Sequence, residues 1–149
     1  MPKVKQLTVS YENRPGTLAD IAGILGKAKV NILAFNAASA GAMGYIQFIV
    51  DNAKKARKVL KAHRISCYEE VVLHVTLPNV PGALASLARK MAAKDVNIGA
   101  GYQTTVEGGK RASVVLAVFP LASATKSTRA PGADSARSRM QLVATNRGH

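Results

Sequence analysis

Four asparagines and two Pro-Gly turns offer most of the chemistry in this chain. Asn13-Arg14-Pro15-Gly16 is followed by a helix-like run and then Val30-Asn31-Ile32. Sixty-six residues on, Asn79-Val80-Pro81-Gly82 leads through a second such run to Val96-Asn97-Ile98. An asparagine amide carries two donors and an acceptor, so Asn13 and Asn31 can hold either pole of a zwitterion without burying a formal charge. A turn that feeds a helix exposes unpaired backbone N–H groups at the positive end of the helix dipole, which suits a carboxylate. Gly16, lacking a Cβ, lets a ligand approach the backbone. Arg14 is either a solvated side chain or a carboxylate clamp. This is chemistry for holding a small molecule that carries both a carboxylate and an ammonium group.

A plainer reading exists for each residue alone. Asn13 and Asn79 would cap helices, and Asn31 and Asn97 would start strands. The recurrence of both asparagines in both copies, with the same helix between them, favours binding.

The positioning elements recur too. Leu18, Ile21, Ala22 and Leu25 of the first helix become Leu84, Leu87, Ala88 and Met91 of the second, which marks an internal duplication. Apolar spacing predicts helices over 17–28, 53–62 and 83–94, the second capped by Asp51 or Asn52. Alternation predicts strands over 4–11, 31–39, 45–50, 97–106 and 111–119. The run 65–77 is long enough for two strands end to end, the last of the first unit and the first of the second.

The order is β-α-β-β-α-β once, then β-α-β-β, an α+β arrangement of two antiparallel sheets with helices on one face. The implied division is a first unit at 1–69, a second with its β-α-β-β core at 70–120, and a Ser/Ala/Arg-rich tail at 121–149. Two readings of the tail stay open. In one, 121–128 forms a poor helix and 140–145 a short strand that complete the second unit. In the other, the tail is disordered and the unit incomplete.

The net charge of +13 divides into +4 over 123–149 and +9 in the body. Lys54, Lys55, Arg57, Lys58 and Lys61 form one basic group at helical spacing, which reads as a solvated face with nonspecific attraction for polyanions. The single cysteine, Cys67, cannot form an intrachain disulfide, and a reducing cytoplasm is its natural setting. No apolar run is long enough to span a membrane and no leader pattern opens the chain.

An enzyme is not expected. Glu69-Glu70 is the one adjacent carboxylate pair, and consecutive strand residues point to opposite faces. The three histidines have no matched serine or cysteine nucleophile, and no phosphate loop, metal cluster or cofactor motif is evident. Gly44-Tyr45-Ile46-Gln47-Phe48 faintly resembles the third-strand motif of RNA-recognition domains, which share the βαββαβ order. Stacking bases needs two aromatics on one face, and Tyr45 shares its face with Gln47 while Phe48 points away.

On the Asn-x-Pro-Gly-x-Leu turn, the Val-Asn-Ile exit and the element order, residues 3 to about 120 resemble two tandem ACT domains. Residues 11–18 look most like the serine-binding regulatory domain of phosphoglycerate dehydrogenases, with Tyr11 where that family has histidine. The resemblance implies ferredoxin-like units, a non-catalytic role in regulating amino-acid metabolism, and a ligand held at a domain or subunit interface. Carried over by position, the ligand-binding residues are Tyr11, Asn13, Arg14, Pro15, Gly16, Leu18 and Asn31 in the first copy. In the second they are Asn79, Pro81, Gly82, Leu84 and Asn97, with Leu77 at the Tyr11 position. Expected partners are a small amino acid, a second copy in a dimer or higher assembly, and a metabolic enzyme under regulation. Two alternatives remain: a regulatory subunit of the acetolactate-synthase small-subunit kind, and an RNA-binding module.

Overall fold

Period-two alternation in the first strand sends Leu7, Val9 and Tyr11 to one face and Gln6, Thr8 and Ser10 to the other. That division decides where every helix packs. The computed structural model of the chain describes residues 2–125. Its strands are β1 (Lys3–Glu12), β2 (Ile32–Ala40), β3 (Met43–Val50), β4 (Cys67–Pro78), β5 (Asn97–Thr105) and β6 (Arg111–Phe119). Its helices are α1 (Thr17–Lys27), α2 (Ala53–Ala62), α3 (Ala83–Ala93) and the short α4 (Leu121–Thr125).

All six strands join one antiparallel sheet in the order β2-β3-β1-β4-β6-β5. This corrects the expectation of two sheets. The 12-residue β4 is one continuous strand that serves both units. Its first half pairs with β1, from Cys67 opposite Val9 to Leu73 opposite Lys3. Its second half pairs with β6, from Leu73 opposite Leu116 to Pro78 opposite Arg111. A boundary between residues 69 and 70 therefore falls inside a shared strand, where the chain has no turn at which to begin a new sheet.

The helices cover one face. Leu7, Val9, Ile46 and Phe48 pack under Ile21 and Leu25 of α1 and under Ala56 and Leu60 of α2. Leu73, Val114 and Leu116 pack under Leu87 and Met91 of α3, with Ala124 of α4 closing the end. Cys67 and Leu73 share a face by alternation, so both cores lie on the same side of the sheet. Side chains such as Leu7, Leu25, Phe48, Leu73 and Met91 are wholly buried. Each stabilises the fold by about 1.5–3 kcal/mol relative to exposure.

Among the described residues no helix covers the other face, yet Ile49, Val72 and Val115 are buried there. Tyr102 of β5 packs on that cluster and reaches Gln6 of β1, so the two side chains lie across the strands between them. Within the described residues, the second unit's counterpart of α2 is α4, 5 residues long. The strand expected at 140–145 lies outside the described residues. α1, α2 and α3 each end on a left-handed residue, Lys29, Arg64 and Asp95, after which Val30, Ile65 and Val96 return a backbone N–H into the last turn.

Candidate functional site

Asn13 follows β1 directly. Its backbone N–H donates to Ala42 O at 2.8 Å and its Nδ2 donates to Gly41 O at 3.2 Å, both at the tip of the β2–β3 hairpin. Asn79 repeats this after β4, with its N–H on Lys110 O and its Nδ2 on Gly109 O, each at 2.9 Å. The asparagines therefore clamp each turn to a hairpin. They do not cap a helix, which removes the plainer reading of Asn13 and Asn79.

The helix caps are Gly16 (φ 90°) and Gly82 (φ 87°), both left-handed and neither followed by a side-chain cap bond. A Cβ is strained in that region, which accounts for the Pro-Gly pairs. Pro15 presets φ one residue earlier. Thr17 ties the first turn together, its hydroxyl lying within 3.1 Å of Arg14 O and 3.3 Å of Glu12 O. Ala83 stands at the matching position of the second copy without a hydroxyl.

Beyond these bonds, the amides of Leu18 and Ala19 find no acceptor among the described residues. They are the unpaired donors a carboxylate needs. Arg14 is exposed and lies 3.7 Å from Glu12, so it is a solvated side chain in a loose ion pair. The half-buried Tyr11 faces Gly44 across β1 and β3. A Cβ on Gly44 would come within 2.8 Å of the Tyr11 ring. Leu77 and Ala112 occupy the same pair of positions in the second copy.

Asn31 stands elsewhere. Its N–H donates to Asp51 Oδ1 at 3.0 Å and its carbonyl accepts from Asp51 N at 3.1 Å, where β2 begins and β3 ends. The hairpin that Asn13 grips lies at the far end of the 9-residue β2, about 30 Å away at ~3.3 Å per residue. Asn97 and Asn79 are separated along β5 in the same way. Because β4 runs antiparallel to β1, the Asn13 turn and Asn97 share one end of the sheet, and Asn31 and the Asn79 turn the other. Even so, three strand spacings of ~4.8 Å separate each pair. Within one chain the paired amides do not converge on a single small ligand.

A hollow of about 300 Å³ lined by Ala92, Asp95, Val96 and Asn97 borders the start of β5. Phe48 is fully buried, so the RNA-type motif offers no second aromatic for stacking.

Sequence reasoning missed one polar pair. It left the histidines without a serine, whereas His74 Nε2 meets Ser113 Oγ across β4 and β6 on the helix-free face. The strand register, with His74 opposite Val115, is what makes them neighbours. No carboxylate orients His74 Nδ1 among the described residues, so the pair lacks the third member of a hydrolytic triad. No group of three potential metal ligands occurs among the described residues. No described helix is long and apolar enough to cross a membrane.

A single sheet of paired units with matching Asn-x-Pro-Gly turns is the arrangement expected of tandem ACT domains, and comparison with known families agrees. The family model described as an ACT domain pair matches residues 2–127, so the chain belongs to the ACT-domain family. Among solved structures it is similar to protein BT0572 from Bacteroides thetaiotaomicron, at 30% identity over 82% of this chain and 83% of that one, with a TM-score of 0.77. It shares its fold with the regulatory subunit of aspartate kinase from Thermus thermophilus, at 17% identity, 76% and 82% coverage and a TM-score of 0.59. The corresponding subunit from Thermus flavus gives 16%, the same coverages and 0.57. No curated protein matches the chain. None of these relatives is a phosphoglycerate dehydrogenase, so that likeness rests on residues 11–18 alone.

Proposed function

We propose that the protein is a non-catalytic sensor that binds one small free amino acid between two copies of the chain and thereby regulates amino-acid metabolism. One observation carries the reading. Asn13 is anchored beside unpaired helix donors, and the second amide the ligand needs, Asn31, sits at the opposite end of an edge strand.

A second copy resolves that separation. β2 is an outer strand with Leu33 and Phe35 more than half exposed, and unpaired edges of this kind invite another strand. Antiparallel β2–β2 pairing centred near Asn36 sets Asn31 of one copy beside Gly41 of the other, next to its Asn13 turn. Two-fold symmetry then gives two equal sites per dimer. The carboxylate would sit on the amides of Leu18 and Ala19, with the Asn13 oxygen and the Asn31 amide taking the remaining polar groups. Tyr11, Pro15, Gly16 and the apolar Leu18 shape the wall. Asn79, Pro81, Gly82, Leu84 and Asn97 form the counterpart at β5, with Leu77 replacing the tyrosine.

A thermal-shift screen of the twenty amino acids tests this. A ligand at a hundred times its Kd adds about 2.7 kcal/mol to stability, so one small amino acid should raise Tm by several degrees. No shift from any of them would contradict the proposal.

A second reading, regulatory subunit of a separate enzyme, draws on the Thermus aspartate kinase subunits that share the fold. An ACT pair over both halves departs from the acetolactate-synthase small-subunit pattern, whose second half is a different domain. Co-purification with a larger enzyme would favour the subunit role.

A further inference from the structure

Five cations converge on a groove that the amino-acid reading does not use. Lys54, Arg57, Lys58 and Lys61 lie at i, i+3, i+4 and i+7 on one side of α2, and Arg64 follows at the helix end. With Ser66 and Cys67 they line a cavity of about 680 Å³, within the range that holds small ligands. α2 has no acidic residue, and its first turn carries Lys54 and Lys55 against the helix dipole.

Like charges at these spacings repel one another. Glu69 is shared between Arg57 at 3.4 Å and Lys5 at 3.3 Å. Lys54, Lys58, Lys61 and Arg64 have no carboxylate partner among the described residues. Burial pushes the Cys67 thiol up, opposed by Arg57 and aided by Glu69, so the wall adds no negative charge at neutral pH. The chain thus keeps a repulsive cluster around a recess in which Glu69 offsets Arg57 alone, a local conflict of the kind that marks functional sites.

We infer that this groove binds a compact oligophosphate, a small molecule carrying two or three adjacent phosphates, at a site separate from the Asn13 turn. The cations recur every ~5–6 Å along the helix, which suits several linked phosphates better than one. The lining contains no aromatic side chain, so nothing stacks on a base and single-stranded nucleic acid is the poorer fit. The site shares no residue with the amino-acid site, and either can fail without the other.

Calorimetric titration of the full chain with phosphate, pyrophosphate and tripolyphosphate at constant ionic strength tests the inference. Affinity should rise at least tenfold from phosphate to tripolyphosphate. Lys58→Gln with Lys61→Gln should weaken tripolyphosphate at least tenfold, whereas Lys27→Gln with Lys90→Gln, equal in charge but on α1 and α3, should change it less than twofold. Without ligand the first pair should melt no lower than the wild type, since repulsion is relieved. Equal losses in both pairs, equal affinity for the three anions, or binding of duplex DNA without binding of tripolyphosphate would each overturn the site.

Discussion

The Tyr102 hydroxyl donates to Gln6 Oε1 at 2.9 Å, tying the outer strand of the second unit to the central strand of the first. Gln6 is almost wholly buried and passes its own amide on to Glu70 Oε1 at 2.9 Å. The two ACT units are therefore joined by a polar chain as well as by β4. Tyr102→Phe removes the donor and strands a buried acceptor, which should cost about 1–3 kcal/mol in a denaturant melt. No loss of stability in that variant would contradict the role.

The same tyrosine makes stability sensitive to alkali. Burial first, and then the charge of Glu70, push the Tyr102 pKa up to about 12. A neutral phenol favoured in the fold contributes fully below the unfolded-state value near 10 and is lost as pH rises through the folded value. Stability should therefore fall between about pH 10 and 12, more steeply than in Tyr102→Phe. Absorbance titration should show a late phenolate step that the variant lacks.

Gly44 leaves room for the Tyr11 ring. Gly44→Ala places a Cβ within 2.8 Å of Tyr11 Cζ, so the ring must move, at an overpacking cost of about 1–3 kcal/mol. Adding Tyr11→Leu should recover most of that loss, because it recreates the Leu77–Ala112 pair of the second copy. A double-mutant cycle with no coupling would contradict the packing account.

Asn13 and Asn31 should separate by the type of defect they cause. Asn13→Ala loses the Gly41 bond as well as ligand contacts, which should cost about 0.5–1.5 kcal/mol of stability and about 1–3 kcal/mol of binding. Asn31 is held through its backbone, so Asn31→Ala should leave stability within about 0.5 kcal/mol while binding falls. Equal melting losses in the two variants would contradict this division.

Much of the architecture was legible in the sequence because it rests on local pattern. The amphipathic spacing of Leu18, Ile21 and Leu25 and the Pro-Gly turns placed α1 and its start. The Arg111–Phe119 strand and α2 fell at their predicted bounds. What escaped was long-range. Nothing in 65–77 shows that one strand serves two neighbours, because pairing partners are chosen by residues far away in sequence. The 18 positions from Asn13 to Asn31 show the helix between the two amides but not that they lie at opposite ends of β2, which depends on the hairpin that Asn13 grips. Tyr102–Gln6 and His74–Ser113 arise from strand order and register, which alternation alone does not specify.

The account rests on one amide from each of two chains at every site, and mixing variants tests this most directly. Asn13→Ala and Asn31→Ala alone should each bind the amino acid at the first-copy site about 1–3 kcal/mol more weakly than the wild type. In a mixture allowed to exchange subunits, half the dimers are mixed and each regains one intact site, so about a quarter of wild-type capacity should return at wild-type affinity. Failure to regain that affinity under exchange, or wild-type affinity in a monomeric chain, would contradict the account.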